Sequence, residues 1–183
     1  RLSGYMIEPA LTSGLISTGT DVILVGPMPT PSVPILIKSL RADFGIMITA
    51  SHNPYHDNGV KLFNKNGYKL DIISRQKIEN LIFSEKLGES LAEPSKLGRA
   101  KRLDDAPGRY IEFVKRSFPK NFTLSGIKIV LDCANGSAYN LAPTILWGLG
   151  AEVTKLSCEP NGFNINDNCG SIYPENLCKK VLE

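Results

Sequence analysis

The densest chemistry in the sequence lies in Thr49-Ala50-Ser51-His52-Asn53-Pro54, which continues to Asp57-Asn58-Gly59-Val60-Lys61. Ser51 offers an oxygen nucleophile. His52 can donate to a phosphate or exchange a proton. Lys61 returns a positive charge towards the serine from the following strand. Asn53 can fix the loop through its own backbone, Pro54 stiffens it, and Asn58-Gly59 permits a close turn. Phosphoryl transfer calls for this set: a nucleophile, a cation to offset the phosphate oxygens, and a group that exchanges protons beside the substrate hydroxyl. Singly, each residue has an ordinary reading as a turn serine, a solvated histidine or a strand-edge lysine. Their joint occurrence behind a buried strand favours a reactive loop. A serine hydrolase fits badly. Ser51 and His52 are neighbours, and neighbours in an extended segment point to opposite sides. There is no Gly-x-Ser-x-Gly elbow, and the only other histidine is His56.

Such a loop needs a sheet to present it, and the flanking pattern supplies one. Phe44 to Thr49 reads as a buried strand that ends just before the serine. Ligand sites of open α/β sheets lie at the carboxyl ends of strands. Val60 to Asn64 and Tyr68 to Leu70 read as two strands joined by a Lys65-Asn66-Gly67 hairpin turn. Upstream, Ser3 caps a helix to about Ser17 that either kinks at Pro9 or starts at Glu8. A strand follows over Asp21 to Gly26. Thr30 caps a helix with Pro31 at its first position, running to about Arg41. Downstream, Ile72 to Lys86 and Asp104 to Phe118 are amphipathic helices, and Gly88 to Arg102 is charged and irregular. Pro119 to Gly126 is the best linker. Ile127 to Asp132 is a strand, a helix follows to about Leu149, and Ala151 to Leu156 is a further strand.

This alternation predicts an α/β protein with mixed, mostly parallel sheets covered by helices on both faces. Two consecutive α/β units are expected, residues 1–122 and 123–183, both incomplete. The chain has 183 residues, a formal net charge of +3, 42% hydrophobic and 21% charged residues. That balance is globular, and its charge is too mild to argue for nucleic acid. No apolar run approaches the roughly 20 residues that span a bilayer, and the first residues lack a signal-peptide layout. A cytoplasmic protein with no membrane or nucleic-acid partner is expected. Cys133, Cys158, Cys169 and Cys178 lack Cys-x-x-Cys spacing and read as reduced thiols. Asp132 to Ser137 could cradle a phosphate, but a structural strand-to-helix turn suits it better. Asp104-Asp105 reads as a helix cap and Trp147 as core.

Thr49-Ala50-Ser51-His52-Asn53-Pro54 with Asn58-Gly59-x-Lys61 resembles the active-site signature of the α-D-phosphohexomutases. Phe63 and Gly67-Tyr68-Lys69-Leu70 are similar to the bacterial branch that acts on glucosamine phosphate. Arg1-Leu2-Ser3-Gly4, Val130 to Gly136, and Asn164-Ile165-Asn166 with Cys169-Gly170-Ser171 agree with other segments of the family. The resemblance implies that Ser51 carries a phosphoryl group, passes it to a sugar monophosphate, and takes back the other phosphate of the resulting bisphosphate. It implies Lys61 as acid/base or phosphate-orienting lysine, with His52 counted beside it as catalytic. Asn53, Asn58 and Gly59 shape the loop or contact substrate, and Arg1 faces the cleft. It also implies Mg2+, held by the Ser51 phosphate and by three aspartates of an Asp-Gly-Asp-x-Asp-Arg loop that this sequence does not contain. The sequence therefore reads as part of a longer chain, inert when isolated. The expected partner is a sugar phosphate, glucosamine phosphate first, and a homodimer is compatible. Two rivals stay open: a mannose- or glucose-phosphate mutase of the same superfamily, and a non-catalytic phosphosugar-binding module.

Overall fold

The computed structural model describes the backbone of residues 1–183 and every side chain outside residues 85–87. In chain order the elements are α1 (Gly4–Ser17), β1 (Val22–Leu24), α2 (Ser32–Leu40), β2 (Phe44–Ile48), β3 (Val60–Asn64), α3 (Ile72–Ile82), β4 (Ala100–Arg102), α4 (Ala106–Ser117), β5 (Lys128–Asp132), α5 (Leu141–Gly148), β6 (Glu152–Leu156) and α6 (Glu175–Leu182). The fold class is α/β, as the alternation predicts. The strands form three two-stranded ladders: β1 with β4 and β5 with β6 are parallel, and β2 with β3 is antiparallel.

The antiparallel ladder presents the serine loop. Ile48 pairs with Val60 and Met47 with Lys61, so the two strands enter and leave the loop in register. Helix α2 packs on β2 through Val33 and Ile37, which form a buried cluster with Phe63 of β3 and with Met47 beside it. Gly45 makes this approach possible, because a Cβ there would lie 2.6 Å from Val33 Cγ1. Burying a ring such as Phe63 contributes roughly 2–3 kcal/mol. The larger cluster joins Met28 and Leu36 to Ala106 and Tyr110 of α4 and to Leu141 and Ile145 of α5. It thus draws on residues from both sides of position 122.

Several expectations need correction. α1 starts at Gly4 and runs through Pro9, and neither Ser3 nor Thr30 caps a helix with its side chain. Ser3 is engaged elsewhere, as an acceptor for Asn58. α3 stops at Ile82 rather than Lys86. Residues 68–70 form no named strand. A single bridge, Phe63 to Lys69, marks the hairpin, whose turn is closed by Gly67 N–H on Asn64 O at 2.8 Å. The irregular stretch before residue 102 contains β4. All three of its positions are exposed, so no apolar period reveals it. Asp105 does precede α4, but its carboxylate accepts from Arg109 Nε at 2.8 Å and caps no backbone group. Trp147 is not core: it is 74% exposed. It lies two residues beyond Ile145, about 200° round the helix from the face that Leu141 and Ile145 bury.

Candidate active site

The loop between β2 and β3 is closed at its base by Thr49 N–H on Gly59 O at 2.8 Å. Asn58 Oδ1 accepts from the Gly59 N–H at 2.9 Å, and Asn58 Nδ2 donates to Ser3 Oγ at 2.9 Å. Within the loop, Asn53 Nδ2 donates to Asp57 Oδ2 at 3.0 Å, and its backbone N–H returns to Ala50 O at 3.0 Å. Asparagine does here what its short amide does well, replacing a backbone partner in a tight turn.

Ser51 sits at the tip, exposed, with φ 51°. A non-glycine residue in that left-handed region costs roughly 1–2 kcal/mol, so the surroundings must hold it. Its N–H donates to Thr49 Oγ1 at 3.2 Å. Its carbonyl accepts from Arg1 Nη2 at 2.9 Å, while Arg1 Nη1 donates to Pro54 O. Asn166 Nδ2 donates to the same Ser51 carbonyl and to Asn53 O, each at 3.0 Å. Lys61, opposite Met47 on β3, donates from Nζ to Ser51 Oγ at 2.9 Å. A cation is therefore in hydrogen-bond contact with the oxygen that would bear the phosphate, and charge-assisted contacts of this kind are the stronger class. Burial lowers the Arg1 guanidinium from its usual value and the Asp57 charge opposes that shift; a guanidinium stays cationic in proteins.

The structure thus brings Ser51, Lys61, Arg1, Asn53, Asn58 and Gly59 into one hydrogen-bonded loop. His52 stands apart: its side chain is exposed and has no hydrogen-bond partner among the described residues, and neither has its backbone N–H. Ser3, Asp57 and Asn166 are participants that the loop motif does not reveal. Asp57 lies inside the quoted stretch, four residues from Asn53, a spacing at which its role could have been read. Asn166 lies 115 residues from Ser51, and the sequence marks it only as part of the Asn164-Ile165-Asn166 segment that agrees with the family. A second contact accompanies it, the Tyr55 ring edge-on to Phe163 with centroids 5.3 Å apart.

Among the described residues, no group of three or more His, Cys, Asp or Glu side chains could hold a metal ion. A hard divalent cation takes six or more oxygen ligands, with water filling only some of the positions. The side chains here do not fit such a site on their own. A separate cleft of about 240 Å3, lined by Gly26, Arg102, Asp104, Ser137 and Tyr139 among others, shares no residue with the serine loop. No helix among the described residues is long and apolar enough to cross a membrane.

Residues 1–89 match the family model described as phosphoglucomutase/phosphomannomutase, alpha/beta/alpha domain I. This stretch is thus similar to the first domain of the phosphoglucomutase/phosphomannomutase family. Its curated relatives include phosphoglucosamine mutases. It is 59% identical over 182 residues to the phosphoglucosamine mutase of Gluconacetobacter diazotrophicus, a match that takes in 100% of this chain and 40% of that protein. It is 58% identical over 183 residues to that of Zymomonas mobilis, again 100% of this chain and 40% of the relative. A crystal structure of a phosphoglucomutase/phosphomannomutase family protein from Burkholderia thailandensis superposes with a TM-score of 0.77 at 28% identity, over 98% of this chain and 38% of that one. The chain thus spans about 40% of the length of the curated relatives it matches.

Proposed function

We propose that this chain is the phosphate-carrying part of a phosphoglucosamine mutase, which interconverts glucosamine 6-phosphate and glucosamine 1-phosphate. The observation that carries the reading is the 2.9 Å contact from Lys61 Nζ to Ser51 Oγ at the tip of an exposed loop. Identities of 59% and 58% to proteins named phosphoglucosamine mutase support the amino-sugar assignment.

In this reading Ser51 carries a phosphoryl group. The bond from phosphorus to Ser51 Oγ breaks as a bond to a sugar hydroxyl oxygen forms. Lys61 as an ammonium offsets charge on the departing Oγ and delivers a proton to it. The sugar hydroxyl gives up its proton to His52 or to solvent, and solvent returns a proton to Lys61. The bisphosphate turns over, and the second phosphoryl group returns to Ser51 by the reverse steps. His52 is exposed beside the serine and is assigned to contact phosphate or exchange a proton. Arg1, Asn53, Asn58 and Gly59 hold the loop in shape. Magnesium is proposed as the metal, held in part by an oxygen of the Ser51 phosphate, where it would offset charge on the phosphoryl oxygens. A cytoplasmic enzyme of bacterial amino-sugar supply to the cell wall, with a sugar phosphate and a second copy of itself as partners, completes the assignment.

The test is turnover of the full-length protein, of which the 183 residues are a part, on glucosamine 6-phosphate, glucose 6-phosphate and mannose 6-phosphate, with magnesium and a sugar bisphosphate. Glucosamine 6-phosphate should be preferred by about tenfold or more in kcat/KM. An equal or greater rate on either neutral sugar would overturn the amino-sugar assignment. No turnover on any of the three would overturn the mutase itself.

A further inference from the structure

The serine loop is held from two directions, and one of them is the far half of the chain. Asn166 uses a single amide nitrogen to reach the carbonyls of Ser51 and Asn53, each at 3.0 Å. An amide nitrogen has two hydrogens, so both of its donors are spent on the serine loop. Asn166 is itself fixed. Its φ is 59° and its N–H donates to Ala134 O at 3.0 Å. Two residues earlier, Asn164 O accepts from Asn135 Nδ2 at 3.2 Å, and four residues later Gly170 N–H donates to Asp132 Oδ2 at 2.7 Å. The segment that carries Asn166 is therefore tied to the end of β5, and the Tyr55–Phe163 ring contact joins it to the serine loop a second time.

The consequence is geometric. The Ser51 carbonyl is fixed by Asn166 and Arg1 together. In a trans peptide the next N–H points the opposite way, and no cis peptide bond occurs among the described residues. Holding that carbonyl thus fixes the direction of the unpaired His52 N–H and keeps the negative end of the peptide turned from it. The same tether maintains the left-handed backbone that places Ser51 Oγ against Lys61.

We propose that Asn166 is a positioning residue for phosphoryl transfer: its amide clamps the peptide planes around Ser51 so that the nucleophile stays aligned. This deepens the function proposed above and rests on it. The chemistry makes a specific demand, two N–H donors at position 166. Asn166→Asp keeps the shape but sets carboxylate oxygens against two carbonyl oxygens.

The experiment compares wild type, Asn166→Asp and Ser51→Ala in the full chain. Asn166→Asp should lower kcat by about thirtyfold, the effect of losing two neutral hydrogen bonds. KM for glucosamine 6-phosphate should stay within about threefold, because the substrate's contacts are not removed. The melting temperature should change by no more than about 3 °C. Amide exchange in residues 50–58 should quicken by about tenfold, with the amides of β5 unaffected. An unchanged kcat, a kcat loss matched by a large fall in melting temperature, or unaltered exchange in residues 50–58 would each overturn the clamp. If wild type itself lacks mutase activity, the function fails, and the exchange measurement still judges the clamp.

Discussion

The loop after β2 and the loop after β5 both leave the end of a strand, and both turn through left-handed non-glycine residues. These are Ser51 in the first and Ala134 and Asn135 in the second. Both carry polar side chains, more of them in the first. In the second loop the polar side chains are already committed to backbone partners. Asp132 accepts from the N–H groups of Ala134 and Gly170 at 2.8 and 2.7 Å. Asn135 Oδ1 accepts from Glu159 N–H at 3.1 Å. Gly170 is required there, since its φ is 76° and a Cβ would lie 2.6 Å from Ala134 Cβ. Burial, and then the neighbouring Cys158 thiol, push the Cys133 thiol up to about 12, so it stays protonated and inert at neutral pH. In the serine loop the backbone is held by outside donors, Arg1 and Asn166, and the side chains of Ser51 and His52 remain at the surface. A reactive loop is thus distinguished less by how many polar residues it holds than by whether something else has already used them.

Alanine at the key position of each loop should separate the two roles. Ser51→Ala is expected to reduce turnover of the full chain by about 10⁴-fold or more, a loss of roughly 5 kcal/mol of transition-state stabilisation. Its folding stability should shift by less than about 0.5 kcal/mol, because the residue is exposed. Asp132→Ala should do the reverse. Leaving two N–H groups without their carboxylate is expected to cost about 3 kcal/mol of stability, read from urea unfolding, with any loss of activity in the folded fraction smaller than that of Asn166→Asp, because Asp132 reaches the serine loop only through the segment that carries Asn166. A stability-neutral Asp132→Ala with lost activity would remove the contrast and make the second loop a functional site. Next in size, Lys61→Met should lower kcat by about 10²-fold with stability nearly unchanged. A larger effect on KM than on kcat would assign Lys61 to phosphate binding rather than to the serine oxygen.

The contrast also explains what could be read from the chain in advance. β2, β5 and β6 carry apolar residues in strand-like runs, and α4 has a strong apolar stripe, so their existence follows from pattern alone. Ser51 and Lys61 were legible because a ladder places Lys61 opposite Met47, just before the serine loop. β4 escaped because Ala100, Lys101 and Arg102 are all exposed and its partner β1 is distant in sequence. Trp147 misled because its helix is apolar nearly all round, and only packing decides which face is covered. Ser3 looked like a helix cap and instead accepts from Asn58, a tertiary contact that overrides local preference. Asn166 was out of reach for the same reason: its partners lie 115 and 113 residues away.

The most direct measurement is mass spectrometry of the full chain after incubation with a hexose 1,6-bisphosphate, with the modified residue located by fragmentation. The account predicts one phosphate, on Ser51, which is discharged when glucosamine 6-phosphate is added. Steady turnover with no phosphate on Ser51, or with the phosphate on another residue, would contradict it.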